Sequence, residues 1–137
     1  MQGYTAHVDT FARDNLPPRE LWPVMTFDLP ELNYPERLNC GVELLDRMVA
    51  QGHGDRRCLI APSGTWTYER LMRESNRIAH VLVDEMGVVP GSRVLLRSAN
   101  NPMMVACWFA VIKAGAIAVA TMPLLRAREL SVIAEKA

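Results

Sequence analysis

The sequence predicts an α/β domain that contains a βαβ unit and follows an irregular, proline-rich arm. Apolar strands and amphipathic helices alternate from residue 38 onward, and strands that are apolar on both faces are typical of a parallel sheet covered by helices. Five prolines interrupt the first 37 residues, where they disfavour a long helix or a central strand. We therefore divide the chain into an arm, residues 1–37, and a domain, residues 38–137.

The composition limits the class of protein. The chain has 137 residues, the size of one ordinary domain, and fifteen basic side chains balance fifteen acidic ones. A net charge of zero gives no indication of a nucleic-acid partner or an anionic membrane. The three cysteines and three histidines fit neither a disulfide framework nor a metal-binding pattern. No secretory signal is expected, so a reducing cytoplasm is the simplest location.

Large apolar side chains recur between the prolines of the arm. A floppy tail rarely carries so much apolar area, so we expect the arm to lie against the domain and bury some of these side chains. They are Phe11, Leu21, Trp22, Phe27, Leu29 and Tyr34. Partner binding by a proline-rich segment is the functional alternative, although the arm has no P-x-x-P repeat.

Helical spacing of apolar residues predicts the first helix over residues 38–54, with Asn39 as its cap. Its expected buried face is Leu38, Val42, Leu45, Met48 and Val49. A hairpin is predicted over residues 58–68 around Pro62-Ser63-Gly64. Thr67 then caps a second helix that runs to about Met86. The buried stripe of that helix is Leu71, Ser75, Ile78, Ala79, Leu82 and Met86, and its charged face is expected to be solvated.

The βαβ unit is predicted over residues 93–121, with a right-handed crossover. Residues 92–97 form its first strand, and Asn101 followed by Pro102 is a strong helix start. Lys113 suits the last helical turn and Gly115 the residue beyond it. Residues 116–121 form the second strand, and residues 128–137 start another helix.

The apolar run of residues 103–125 also raises the alternative of a membrane span. A spanning helix needs about 20 residues of unbroken helix, and Gly115 divides this run into two shorter elements. An internal helix followed by a core strand is therefore favoured over a membrane-anchored protein.

Few residues suggest chemistry by themselves. Ser63-Gly64-Thr65 lacks the G-x-x-x-x-G-K-[ST] context of a phosphate loop, so a hairpin turn is favoured. Cys107 lies in an apolar helix and is interpreted as a small core residue. His80 is interpreted as a surface or boundary residue. The residues alone indicate an α/β domain without a complete catalytic constellation, so a freestanding nucleotide- or protein-binding module stays open.

Arg126 and Arg128 are the candidate binding residues. They follow a predicted parallel strand, and ligands tend to bind at the carboxyl ends of such strands. A guanidinium group there can hold a phosphate with two hydrogen bonds. The alternative is simple exposure to solvent, or pairing with Glu129 or Glu135.

Several spaced motifs resemble, in the same order, the amino-terminal part of the acyl-adenylate-forming enzymes, the AMP-dependent synthetases and ligases. They are T-W-T-Y-E-R-L (65–71), N-R-I-A-H-V-L (76–82), G-V-V-P-G-S-R-V (87–94), N-N-P-M (100–103), F-A-V-I-K-A-G-A-I-A-V (109–119) and M-P-L-L (122–125). Within that superfamily the chain is similar to aryl-CoA ligases of the benzoate type, and more closely to 2-aminobenzoate–CoA ligases. E-R-L-N-C-G-V-E-L-L-D-R (36–47) and L-P-P-R-E-L-W-P (16–23) carry this finer resemblance.

The resemblance implies that residues 38–137 are the first part of a large AMP-binding domain and that the 137-residue chain is catalytically incomplete. It implies ATP, CoA and Mg²⁺ as ligands of the intact enzyme, with no catalytic residue in this chain. Some relatives contact the CoA 3′-phosphate through an arginine directly after the proline of the M-P-L-L region. That position here is Leu124, so Arg126 or Arg128 is the candidate substitute. We also expect apolar surface to stay exposed and to favour self-association.

Overall fold

The computed structural model describes residues 6–35 and 37–137. Residues 1–5 and Glu36, which belong to the predicted arm, lie outside the described residues. The elements of the domain are the hairpin strands β1 (Arg57–Ala61) and β2 (Gly64–Thr67), helix α2 (Tyr68–His80), strand β3 (Arg93–Arg97), helix α3 (Pro102–Lys113), strand β4 (Ile117–Thr121) and helix α4 (Ala127–Lys136). The arm contributes the short helix α1 (Phe11–Asp14) and the 3₁₀ turns Arg19–Leu21 and Pro30–Leu32.

The predicted α/β order is confirmed element by element. β1 and β2 pair antiparallel, as predicted for the hairpin. β3 and β4 pair parallel in register from Arg93↔Ile117 to Arg97↔Thr121, with α3 between them along the chain. The predicted βαβ unit is therefore present.

The residue types at the helix ends explain where each helix begins or stops. Asn39 caps a helix over residues 40–53, because its Oδ1 accepts from the amides of Gly41 (2.9 Å) and Val42 (3.3 Å). Thr67 caps α2 by accepting from the amide of Arg70 at 3.2 Å. Asn101 caps α3 and Pro102 occupies its first turn, where the missing N–H costs no hydrogen bond. Gly115 ends that helix with φ of +72°, a conformation that glycine adopts without strain.

Two helices depart from regular α geometry. The helix over residues 40–53 contains the π-helical segments Val42–Asp46 and Val49–His53, and its backbone leaves helical geometry at Gly52, where φ is +83°. α2 continues into a third π-helical segment, Val81–Glu85, which accounts for the predicted helix end near Met86. Helical periodicity locates such helices but does not distinguish their hydrogen-bonding register.

The core is centred on the packing of α2 against α3. One buried cluster joins Leu45, Trp66, Leu71 and Ala106, and a second joins Leu82, Ala110, Val111 and Ala116. Ser75 is also fully buried, as the predicted stripe of α2 requires. Met86, Leu38 and Val42 were predicted on buried faces, but they remain 67%, 42% and 44% exposed.

The prediction that the arm buries its large apolar side chains is wrong. All six remain at least 40% exposed, and Leu21 reaches 71%. The arm lies against the domain through polar contacts such as that of Asp9 with Arg93. Its large side chains also form local contacts: Trp22 donates to the carbonyl of Pro17 at 2.7 Å, and Phe27 meets Tyr34 edge to face. The prolines break the arm into turns too short to present one continuous apolar face to the domain.

Among the described residues, the parallel sheet of β3 and β4 is covered on one face only. Val94 and Leu96 pack with the second core cluster, whereas Leu95, which points to the opposite face, is 44% exposed. α4 has no buried residue. The prediction that helices cover both faces is therefore wrong for the described residues. None of their helices combines the length and the apolarity needed to cross a membrane.

Candidate functional site

The candidate site lies where the two parallel strands end. Because Arg97 and Thr121 are register partners, β3 and β4 finish at the same edge of the sheet. We call this the carboxyl edge: the ends of both strands, the loop of residues 98–101 before α3, and the loop of residues 122–126 together with the first turn of α4. In α/β sheets, ligands bind in the crevice outside such strand ends.

Arg97 fixes the second of these loops. Its Nη2 donates to the carbonyl oxygens of Pro123 (2.7 Å) and Leu125 (2.8 Å), so the turn after β4 is held against the end of β3. Thr121 adds a bond from its hydroxyl to the carbonyl of Leu96 at 3.2 Å. The sequence analysis did not identify Arg97. The available signal was an arginine at the last position of a predicted strand beside a proline-containing loop.

The structure brings Arg126 and Arg128 to this edge. Arg126 precedes α4, and its amide donates to Oε2 of Glu129 at 2.9 Å, which fixes the backbone at the start of that helix. Both arginines are exposed. Among the described residues, no ion pair joins either of them to Glu129 or Glu135. The predicted alternative of local charge pairing is therefore not observed, and both cations face solvent.

The loop before α3 forms the other side of the carboxyl edge. Oδ1 of Asn101 accepts from the amide of Met104 at 2.9 Å, while its Nδ2 donates to the hydroxyl of Ser98 at 3.2 Å. A groove of about 230 Å³ runs between this loop and strand β1, lined by Leu59, Ile60, Ala61, Asn100, Asn101, Pro102, Met104 and Val105. The loop is thus held by side-chain bonds at both ends of its turn.

Two of the three cysteines, Cys58 and Cys107, are partly buried. Partial burial raises the pKa of the Cys107 thiol, and the same cause raises the pKa of Cys58. Cys58 also lies 3.4 Å from the carbonyl oxygen of Trp66. A reactive cysteine needs a lowered pKa and an electropositive setting, so the raised pKa supports the interpretation of Cys107 as a packing residue.

Two other motifs have structural roles. Ser63-Gly64-Thr65 lies at the tip of the β1–β2 hairpin, where Ala61 and Gly64 are register partners, so the predicted turn is confirmed. His80 is exposed, and its Nδ1 lies 3.2 Å from Oδ2 of Asp84 one helical turn later. Sequence reasoning missed this partner, although the i, i+4 spacing was visible.

The carboxyl edge is cationic where α4 begins. It presents two exposed guanidinium groups, which suit a phosphate. Within residues 6–35 and 37–137, no three His, Cys, Asp or Glu side chains are grouped as a metal ion would require.

Comparison with known proteins places the chain in a family. A family model described as "AMP-binding enzyme" matches residues 46–137. The chain is 29% identical over 96 residues to a benzoate–CoA ligase of Thauera aromatica, covering 70% of this chain and 18% of the ligase. It is 32% identical over 100 residues to a 3-hydroxybenzoate–CoA/4-hydroxybenzoate–CoA ligase of the same organism, covering 73% and 19%.

A solved structure agrees with these matches. The anthranilate CoA ligase AuaEII, in complex with anthranoyl-AMP, superposes with a TM-score of 0.69 at 27% identity, covering 77% of this chain and 20% of that one. The chain therefore spans about a fifth of the length of each of these three proteins.

Proposed function

Because the chain belongs to the AMP-binding enzyme family, we propose that it is the amino-terminal part of an ATP-dependent acid–CoA ligase acting on an aromatic acid, with 2-aminobenzoate as its substrate. The observation that carries the proposal is the family match over residues 46–137. The ordered motifs between residues 65 and 125 lie inside that match.

The proposed reaction has two steps. A carboxylate oxygen of the acid attacks the α-phosphorus of ATP, forming an acyl adenylate and releasing pyrophosphate. The CoA thiol, after losing its proton, then attacks the acyl carbon and releases AMP. Mg²⁺ and cationic side chains stabilise the negative charge that develops on the phosphates. This chain supplies scaffold and the carboxyl edge, and the residues that carry out both steps belong to the remaining four fifths of a relative's length.

Three relatives support an aromatic substrate. The names of the two Thauera aromatica ligases give benzoate and hydroxybenzoates as their acids, and the superposed structure holds anthranoyl-AMP, the adenylate of 2-aminobenzoate. The arm motif L-P-P-R-E-L-W-P (16–23) supports the same subgroup.

Arg126 and Arg128 are the proposed contacts to a phosphate of CoA. Both are exposed at the carboxyl edge, and Leu124, which replaces the arginine found in some relatives, is 83% exposed beside them. The bonds from Arg97 to the carbonyls of Pro123 and Leu125 fix the backbone from which both arginines extend. No nucleic-acid or membrane partner forms part of the proposal. Its proposed location is the cytoplasm, where the three cysteines stay free.

The test measures pyrophosphate release by the full-length protein that contains this chain. We expect turnover with ATP, Mg²⁺, CoA and 2-aminobenzoate, lower kcat/KM with benzoate and 4-hydroxybenzoate, and the lowest with acetate as an aliphatic control. The isolated 137-residue chain is expected to release no pyrophosphate with any of them.

Different results of this assay test the substrate, the aromatic class and the incompleteness of the chain separately. A preference for benzoate over 2-aminobenzoate would contradict the substrate but not the reaction. A preference for acetate would contradict the aromatic class. Turnover by the isolated chain would show that it is not an incomplete part of a ligase.

A further inference from the structure

The first described segment of the arm is attached to the domain beside strand β3. The amides of Val8 and Asp9 both donate to the carbonyl of Pro90 at 2.9 Å. Nη1 of Arg93 donates to Oδ2 of Asp9 at 2.6 Å, and the same guanidinium lies 4.3 Å from the centre of the Phe11 ring. We call the contacts of Arg93 with Asp9 and Phe11 the Arg93 anchor.

The arm crosses the domain so closely that only glycine fits beneath it. A Cβ atom at Gly91 would lie 2.0 Å from the carbonyl oxygen of Asp9, and the φ of Gly91 is +91°. A side chain at this position would therefore displace the arm, and the positive φ would strain its backbone. Gly91 therefore belongs to the attachment as much as Arg93 does.

The attachment is separate from the hydrophobic core. No described arm residue belongs to either buried cluster. The arm rejoins the domain at Asn39, whose Nδ2 donates to the carbonyl of Ile112 at 3.0 Å. Segments held by few buried apolar contacts open at lower free energy than the core does.

We propose that the described residues before Asn39, residues 6–35 and 37–38, form a strap that detaches from the domain and reattaches while the core stays folded, with Arg93 as the positioning residue that holds it closed. The strap is fixed at its two ends, by the Arg93 anchor and by Asn39, and exposes apolar side chains between them.

Arg93 itself favours reversibility. The Asp9–Arg93 pair is only partly exposed, at 30% and 24%, which strengthens the ion pair relative to one in open solvent. However, Nε of Arg93 is buried without an acceptor among the described residues. An unpaired buried donor offsets part of the stabilisation that the other contacts provide.

Detachment would change a groove at the amino ends of β3 and β4. This groove, of about 690 Å³, has Ala6 and His7 on one wall, residues 37–40 on another, and Pro90 with residues 112–116 beneath. Both ends of the strap thus line it. A detached strap removes the first wall, so the shape of the groove depends on the Arg93 anchor.

Hydrogen exchange of the 137-residue chain, measured by mass spectrometry, tests the proposal. In Arg93→Ala, we expect the protection of peptides containing Val8 and Asp9 to fall by roughly ten- to a hundredfold, the loss of a charged hydrogen bond. Protection over α2 and α3 should stay unchanged. Asp9→Asn leaves β3 intact and should give the same pattern, and Arg93→Lys, which keeps the charge, should restore part of the protection.

Arg47→Ala is the matched control. Arg47 also pairs with a carboxylate at 2.6 Å, Glu43, but both lie on one helix and the pair is more exposed. It should leave the protection of residues 8 and 9 unchanged. Unchanged protection in both Arg93→Ala and Asp9→Asn would overturn the proposal. An equal loss of protection in α2 and α3 would also overturn it, because arm and core would then open as one unit.

Discussion

Ser75→Ala should stabilise the protein, although it deletes a polar group from the centre of the core. Ser75 lies in α2 on the face packed against α3, and none of its surface is exposed. Its hydroxyl has no hydrogen-bond partner among the described residues. Alanine keeps the Cβ in place and removes only that oxygen.

Three contributions determine how much Ser75→Ala changes the free energy of unfolding. Relief of a buried hydroxyl without a partner contributes about 1–3 kcal/mol. The higher helix propensity of alanine contributes roughly 0.5 kcal/mol. The lost dispersion contacts of one oxygen atom subtract about 0.5–1 kcal/mol. The free energy of unfolding should therefore rise by about 0.5–3 kcal/mol, which raises the Tm by about 2–12 °C for a domain of this size.

Urea denaturation followed by circular dichroism measures this change. Ser131→Ala is the matched control, because Ser131 is exposed on α4 and its hydroxyl donates to the carbonyl of Arg128 at 2.9 Å. That variant should stay within about 0.5 kcal/mol of the parent. Destabilisation of Ser75→Ala by more than about 0.5 kcal/mol would refute the reasoning, since it would mean that the hydroxyl has a partner, such as the carbonyl one turn earlier.

Burial raises the pKa of the Cys58 and Cys107 thiols, so a smaller fraction of these two cysteines is thiolate at about pH 8. Iodoacetamide should therefore modify the exposed Cys40 first, and faster modification of Cys107 in the folded protein would contradict this. In the full-length protein, the double variant with Arg126→Ala and Arg128→Ala should raise the KM for CoA by roughly 3- to 10-fold with the KM for ATP unchanged. An unchanged KM for CoA would exclude the phosphate contact, and Arg47→Ala serves as the control. The isolated chain should bind a hydrophobic dye and show concentration-dependent association in size-exclusion chromatography, because large apolar side chains such as Leu21 and Ile60 are more than 70% exposed; a monomer that binds no dye would contradict this.

Local signals predicted most of the fold. Asn39, Thr67 and Asn101 cap helices because their side-chain oxygens satisfy amides two or three residues later, a bond that depends on sequence neighbours alone. The split of residues 103–125 into α3 and β4 likewise depends on Gly115, whose positive φ ends the helix. The same local character explains why the order of the elements was predictable.

Burial and long-range contacts were less predictable. Whether Phe11 or Trp22 is buried depends on the surface that faces it, and that surface is built from residues distant in sequence. Arg93 and Asp9 are 84 positions apart, and Arg97 reaches the loop after β4 across 26 and 28 positions. Nothing in the spacing of these residues pairs them. Arg126 and Arg128 could be proposed from the sequence because their position after a strand is a local feature, whereas the role of Arg97 in holding their loop is not.

We propose that this chain is the first part of an aryl–CoA ligase, and the coding sequence that follows the codon for Ala137 is the sharpest test. We expect the reading frame to continue for several hundred codons and to encode, beyond residue 137, a Ser/Thr/Gly-rich loop ending in lysine. A stop codon directly after Ala137 in the mature transcript, or a continuation without such a loop, would contradict it.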